Sequence, residues 1–161
     1  MNPYCTYFDR GYLAQGVALW TSLARHDADA QLWALALDDE TAGVLRGLND
    51  SRLKVLTLPD LLNTDPELAA VQRTRSRQEF IFTLTPCLTR HLLAGMKFGA
   101  TLCYLDADLL FFESPAPIWR ALDSGSILVV QHRYPKWHDD SGLYGRFNVG
   151  VLGFRNDANG R

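Results

Sequence analysis

The feature that most constrains this chain is the run Leu102-Cys-Tyr-Leu-Asp106-Ala-Asp108-Leu-Leu-Phe-Phe112, eleven residues of strand-forming, apolar character interrupted by two carboxylates. In an extended chain, residues i and i+2 point to the same side, so Asp106 and Asp108 are expected to converge while Ala107 faces away. An unpaired carboxylate taken out of water is neutralised, paired or given a cation, and a like charge beside it sharpens that need. A hard divalent ion suits such a pair, because Mg²⁺ or Mn²⁺ prefers oxygen ligands and takes one or two carboxylates from protein and the rest from water and phosphate. The alternative for an Asp-x-Asp at a strand end is a helix cap or a turn. Capping is the weaker explanation here, since Leu109 to Phe112 continue apolar and the next break is Ser114-Pro115.

Elsewhere the chain reads as alternating strands and helices. Tyr4 to Phe8 is β-prone and leaves through Asp9-Arg10-Gly11; Leu13, Val17, Trp20 and Leu23 then recur at helical spacing. Gln31 to Leu37 is a nearly continuous apolar run, as in a strand covered on both faces, and Asp38-Asp39-Glu40-Thr41 supplies the cap and acidic first turn of a helix to about Leu48. Leu53 to Leu58 predicts a third strand ended by Pro59, followed by a short helical passage through Leu61 and Pro66 to Val71. A helix is expected from Glu79 to about Met96, kinked or split at Pro86. A short helix holding Ile118, Trp119 and Leu122 follows Ser114-Pro115-Ala116-Pro117, then a buried strand Ser126 to Gln131 ending at His132. The polar and aromatic stretch 136–146 reads as a mobile loop near the site, and Phe147 to Phe154 as a last strand in which Gly150 and Gly153 predict close backbone approach or a bulge. Strand-helix alternation of this kind predicts an α/β fold with a mostly parallel sheet flanked by helices, and ligands at the carboxyl ends of its strands.

Composition supports one soluble globular domain over residues 1–161: 47% hydrophobic, 21% charged and a formal net charge of -2. No Lys/Arg run recommends a nucleic-acid partner, and no basic leader or apolar span recommends secretion or membrane insertion, so the expected compartment is the cytoplasm. Cys5, Cys87 and Cys103 are odd in number and embedded in apolar runs, which predicts buried free thiols. The most basic patch is Gln72-Arg-Thr-Arg75-Ser-Arg77-Gln78, whose arginines either mark a solvated helix start or reach an anionic ligand. His132, at a predicted strand terminus, either packs or contacts a ligand.

Four segments in order, Thr6-Tyr-Phe-Asp9-Arg-Gly-Tyr12-Leu, Tyr104-Leu-Asp106-Ala-Asp108, Ile127-Leu-Val-Val-Gln-His132-Arg-Tyr and Phe147-Asn148-Val-Gly150-Val, resemble the nucleotide-diphospho-sugar transferases of GT-A fold, especially the family 8-like glycosyltransferases. The resemblance implies a sugar transferase with a UDP-type nucleotide-sugar donor, an unidentified glycosyl acceptor and Mn²⁺ or Mg²⁺. It implies metal and diphosphate binding by Asp106 and Asp108, nucleotide contact by the segment of Thr6, Asp9 and Tyr12, and a place near donor or acceptor sugar for Asn148; donor contact by His132 is the residue-level expectation above. Such enzymes carry an arginine in the helix before the Asp-x-Asp strand; around Thr85-Pro86-Cys87 this chain has none, so Arg75 or Arg77 would take that part from a different place. They also continue past the last strand with a histidine metal ligand and an acceptor region, so an N-terminal fragment or shortened member is expected. Two other readings stay open: a module that binds nucleotide and metal without turnover, and a metal-dependent phosphatase with Asp106 as nucleophile.

Overall fold

The computed structural model describes residues 1–135, 137, 143 and 145–160. Six strands form one sheet in the order β3-β2-β1-β4-β6-β5, where β1 is Asn2–Phe8, β2 Ala30–Ala36, β3 Leu53–Thr57, β4 Thr101–Leu105, β5 Ile127–Gln131 and β6 Phe147–Arg155. The first four run parallel, in register from Asn2↔Ala30 to Phe8↔Ala36 across β1 and β2. β6 runs antiparallel between β4 and β5, so the mostly parallel sheet expected from the sequence carries one reversed strand.

Helices cover both faces. On one side α1 (Leu13–His26), α2 (Asp39–Gly47) and α6 (Ala116–Asp123) meet Tyr4, Phe8, Leu32, Cys103 and Leu105 through Leu19, Trp20, Leu23, Leu45, Ile118 and Trp119. On the other, α3 (Leu58–Thr64), α4 (Pro66–Gln72) and α5 (Arg77–Ala94) meet Cys5, Leu35, Leu102 and Tyr104 through Leu61, Leu68, Leu84, Leu88 and Leu92. Alternation along β1 and β4 therefore splits neighbouring residues between two cores, which is why these strands read as unbroken apolar runs. A buried network ties the start of β1 to α6: Trp119 Nε1 donates to Tyr4 Oη (2.8 Å), Tyr4 Oη donates to Asp27 Oδ2 (2.8 Å), and Asn2 Nδ2 donates to the same carboxylate.

Several expectations need correction. α5 begins at Arg77, two residues early, because Ser76 and Glu79 form a reciprocal capping box, and it runs through Pro86 without splitting. Packing of Leu84, Leu88 and Leu92 on both sides of the proline holds the helix together. The passage after Pro59 is two helices, each with a proline in its first turn and an oxygen cap, Thr57 for α3 and Asp65 for α4. β5 is not buried: Ile127, Val129 and Val130 are 53%, 44% and 38% exposed at the edge of the sheet. Of the cysteines, Cys5 and Cys103 are buried free thiols, while Cys87 is half-buried. The loop expected over 136–146 lies for the most part outside the described residues. Among the described residues, no helix is long and apolar enough to cross a membrane.

Candidate functional site

The strand order places a topological switch between β1 and β4. From β1 the chain steps outward to β2 and β3, then returns to add β4 on the other side of β1. The segments leaving β1 and β4 both lead to helices on the same face, α1 and α6, and the crevice lies at the carboxyl ends of the two strands. Asp9 is the residue after β1 and Asp106 the residue after β4. A cavity of about 240 Å³ opens there, lined by Tyr7, Phe8, Asp9 and Tyr12 on the β1 side and by Tyr104, Asp106, Ala107 and Asp108 on the β4 side, with Leu37 and Ile81 between.

Asp106 and Asp108 are not on an extended strand. β4 ends at Leu105, and Leu109 N–H donates to Asp106 O (3.3 Å), so the pair occupies a tight turn. The i and i+2 argument fails at this point because the chain has left the sheet: the turn still brings Asp106 and Asp108 to one cavity, but Ala107, expected to face away, lines that cavity too. The apolar residues beyond are irregular, with Leu109 and Phe111 packed against the α1 face and Phe112 78% exposed.

Three contacts hold Asp106. Its N–H donates to Gly150 O (2.8 Å) on β6, and Tyr104 Oη donates to its Oδ1 (2.8 Å). Its Oδ2 faces Gly150: a Cβ at that position would lie 3.2 Å from Asp106 Oδ2 and 2.9 Å from Asn148 Oδ1. Asn148 Oδ1 in turn accepts from Gly150 N–H (2.7 Å). β6 is irregular here, since Val129 pairs Leu152 but Val130 pairs Asn148, and this bulge carries the glycine against the carboxylate. Both readings of Gly150 thus hold together, close approach and bulge. Gly153 is a close approach of another kind, against Leu122.

Burial pushes the Asp106 carboxyl above the ordinary carboxylate range; the Tyr104 hydrogen bond pulls it back, and the Asp108 charge pushes it up again. A cation between the two carboxylates would reverse both upward pushes. The donor set, hard carboxylate oxygens in the wall of an otherwise largely apolar cavity, therefore fits Mg²⁺ or Mn²⁺. Among the described residues, no group of three His, Cys, Asp or Glu side chains forms a fuller cation site.

On the opposite wall, Asp9 caps a single 3-10 turn, Arg10–Tyr12. Its Oδ1 accepts from Gly11 N–H (2.9 Å), and its Oδ2 accepts from the Arg77 guanidinium at the start of α5. Asp38, the cap of α2, accepts from Thr41 N–H and from Arg10 N–H (2.8 Å each), which ties the end of β2 to the same turn; the backbone bond from Thr41 holds its carboxyl below the usual range. Beyond Asp9 lies a second cavity of about 670 Å³, bounded by Arg10, Glu40, Gln72, Arg77 and Phe80, which shares Asp9, Leu37 and Ile81 with the first.

The structure gathers Asp9, Tyr12, Asp106 and Asp108 around one cavity, brings Asn148 beside Asp106, and sets Arg77 on Asp9. Three other expected residues lie elsewhere. Thr6 is fully buried within β1, short of the strand end, so it lines neither cavity. Arg75 donates to Thr83 Oγ1 and so lies back along α5. His132 stacks on Tyr134 with ring centroids 4.8 Å apart, and its N–H donates to Arg146 O. Tyr7, Tyr104, Leu37 and Ile81 belong to the cavity without having been expected there. Tyr7 and Tyr104 carried a signal, each lying on a strand two residues before a site aspartate, Asp9 and Asp106.

A mostly parallel sheet with helices on both faces, a switch-point crevice and a carboxylate pair after the fourth strand define a GT-A type fold. Comparison with solved structures agrees. The chain is similar to mouse xyloside xylosyltransferase 1 (14% identity, 96% of this chain and 67% of that one, TM-score 0.63). It is also similar to the glycosyltransferase GlyE of Streptococcus pneumoniae TIGR4 (19% identity, 97% and 34%, TM-score 0.56). A third likeness is to the galactosyltransferase LgtC, solved with donor and acceptor sugar analogs (18% identity, 96% and 58%, TM-score 0.52). In sequence the chain is 30% identical over 166 residues to the uncharacterized protein YfnF of Bacillus subtilis strain 168 and 26% identical over 154 residues to YfnD of the same organism. It spans about half the length of these curated relatives, 54% of the first and 49% of the second. No protein-family model matches it.

Proposed function

We propose that this chain carries the donor site of a glycosyltransferase, which takes a sugar from a nucleotide-diphosphate donor of UDP type and delivers it to a glycosyl acceptor. The observation that carries the reading is the switch-point cavity, with a carboxylate pair on one wall and an aromatic ring beside a third carboxylate on the other. Asp106 and Asp108 would hold Mn²⁺ or Mg²⁺, and the nucleoside would lie toward Asp9 and Tyr12. Breaking the sugar-phosphate bond leaves negative charge on the departing diphosphate, and a divalent cation supplies Lewis-acid stabilisation of that charge when bound. The protein's own residues prepare the site. Tyr104 fixes the orientation of Asp106, Asn148 beside it would stand near the donor or acceptor sugar, and Phe8, Leu37, Ile81 and Ala107 give the cavity an apolar lining.

Calorimetric titration with UDP, with and without a chelator, tests the metal part, and donor consumption tests the transfer. Equal UDP affinity in both conditions removes the metal from the reading. The second reading is nucleotide and metal binding without transfer; metal-dependent UDP binding with no consumption of any UDP-sugar selects it.

A further inference from the structure

We propose that Thr85 of α5 is a positioning residue for the carboxylate turn, acting on Asp106 through Tyr7 and Tyr104; this rests on the donor-site reading above. Tyr104 Oη donates to Asp106 Oδ1 (2.8 Å), so the seat of that hydroxyl orients the carboxylate. What seats Tyr104 lies further back. Cys5 pairs with Tyr104 across β1 and β4, which makes Tyr7 the diagonal neighbour of Tyr104 on the face that α5 covers. The two rings lie 5.7 Å apart between centroids and 34° from parallel, and the Tyr7 hydroxyl meets Thr85 Oγ1 at 3.0 Å.

Two features set Thr85 apart from a threonine that merely fills a helix. Thr83 and Thr89, on the same helix, spend their hydroxyls on carbonyls four residues back, Glu79 O and Thr85 O, the usual outlet for a helical hydroxyl. Thr85 Oγ1 is joined across to β1 instead. Its place also completes a pattern. Arg77, Ile81 and Thr85 are four residues apart and share one stripe of α5; Arg77 meets Asp9, Ile81 lines the cavity and Thr85 holds Tyr7. One helix stripe thereby touches both walls, Asp9 after β1 and, through the two tyrosines, Asp106 after β4. Thr85 lines neither of the two cavities, so its hydroxyl acts on the site only through Tyr7.

The test measures Mn²⁺ binding by the loss of the free-ion electron paramagnetic resonance signal, beside urea unfolding without metal. Thr85→Val keeps the shape and removes the hydroxyl, and should weaken Mn²⁺ binding about fivefold, the scale of one neutral hydrogen bond. Tyr7→Phe removes the other end of the same bond and should match it, and the double variant should be no weaker than either single one. Tyr104→Phe, which removes the direct donor to Asp106, should weaken binding about tenfold or more. Thr85→Ser keeps the hydroxyl and should bind Mn²⁺ as the parent does, as should Thr83→Val. Lost stability does not imitate this result, because apparent affinity falls only by the folded fraction, which the urea curves give. Parental Mn²⁺ affinity in Thr85→Val, additive losses in the double variant, or a Thr85→Ser chain as weak as Thr85→Val overturns the inference and leaves the metal pair standing. Equal weakening in Thr83→Val overturns it in favour of a general loosening of α5. An unsubstituted chain that binds no Mn²⁺, with or without UDP, overturns the inference together with the metal reading on which it rests.

Discussion

The same chemical change, glycine to alanine, should have three different outcomes in this chain. At Gly150 an added methyl would sit 2.9 Å from Asn148 Oδ1 and 3.2 Å from Asp106 Oδ2, so these two side chains or the bulge of β6 must shift. Overpacking of this kind costs about 1–3 kcal/mol, offset by about 0.4–1 kcal/mol from the stiffer unfolded chain. A net loss of about 1–2 kcal/mol corresponds to roughly 2–8 °C in melting temperature for a chain of this length. Because the displaced atoms belong to the carboxylate and its neighbour, Mn²⁺ affinity should also fall about tenfold or more, as when the support of a metal ligand is disturbed. At Gly153 the methyl would meet Leu122 Cδ1 at 2.7 Å and Leu128 Cβ at 3.0 Å, away from the carboxylates. Gly153→Ala should therefore lose comparable stability and keep its Mn²⁺ affinity. At Gly43, within α2, nothing lies within 4 Å, and Gly43→Ala should gain about 0.5–1 kcal/mol from helix propensity alone. Thermal melting of the three variants, each with and without Mn²⁺, reads both effects. A Gly150→Ala chain that melts with the parent and responds equally to Mn²⁺ would refute the argued closeness of β6 to Asp106.

Asp106→Asn and Asp108→Asn should both fold and both lose metal-dependent UDP binding; loss of folded circular dichroism in Asp108→Asn would mark the pair as structural. The pH dependence of Asp106 has a definite sign. Its folded-state carboxyl is raised, so between the ordinary carboxylate value of about 3.9 and that raised value the folded chain keeps a proton the unfolded chain has released, and stability falls as pH rises through the window. Asp106→Asn should therefore equal the parent below the window and exceed it at neutral pH without metal, measured as a difference between urea-unfolding curves; a less stable variant at neutral pH contradicts the sign. Trp119→Phe removes the donor to Tyr4 Oη and should cost about 1 kcal/mol in the same assay while leaving UDP affinity unchanged, since that network lies at the start of β1 and Asp9 follows its end. Altered UDP affinity in that variant would mean the two ends of β1 are coupled.

The parallel half of the sheet was legible because β1, β2 and β4 are covered on both faces and leave continuous apolar runs, and because Asp38 announces its helix with cap chemistry, whereas the Ser76–Glu79 capping box went unread and put the start of α5 two residues late. The edge strand was misread for the same reason. Ile127 to Val130 is as apolar as a buried strand, and composition alone does not say whether a neighbour covers it. The carboxylate pair was legible as chemistry and not as geometry, since a turn and an extended strand can both bring positions 106 and 108 together. Tyr104 was within reach through spacing. The Asp9–Arg77 contact joins residues 68 apart in sequence, and no local pattern encodes it.

The position of β6 orders the assembly of the sheet during synthesis. β4 has β1 as a partner as soon as it forms, but β5 borders only β6, whose residues emerge last of the six strands. Until residues 147–155 arrive, the outer edge of β4 is open, β5 has no sheet to join, and the N–H of Asp106 lacks its acceptor on Gly150. Non-local closure of this kind is slow and exposes strand edges to other chains. The parallel strands can thus pair before the carboxylate turn gains its backbone acceptor, so the placing of Asp106 waits for β6.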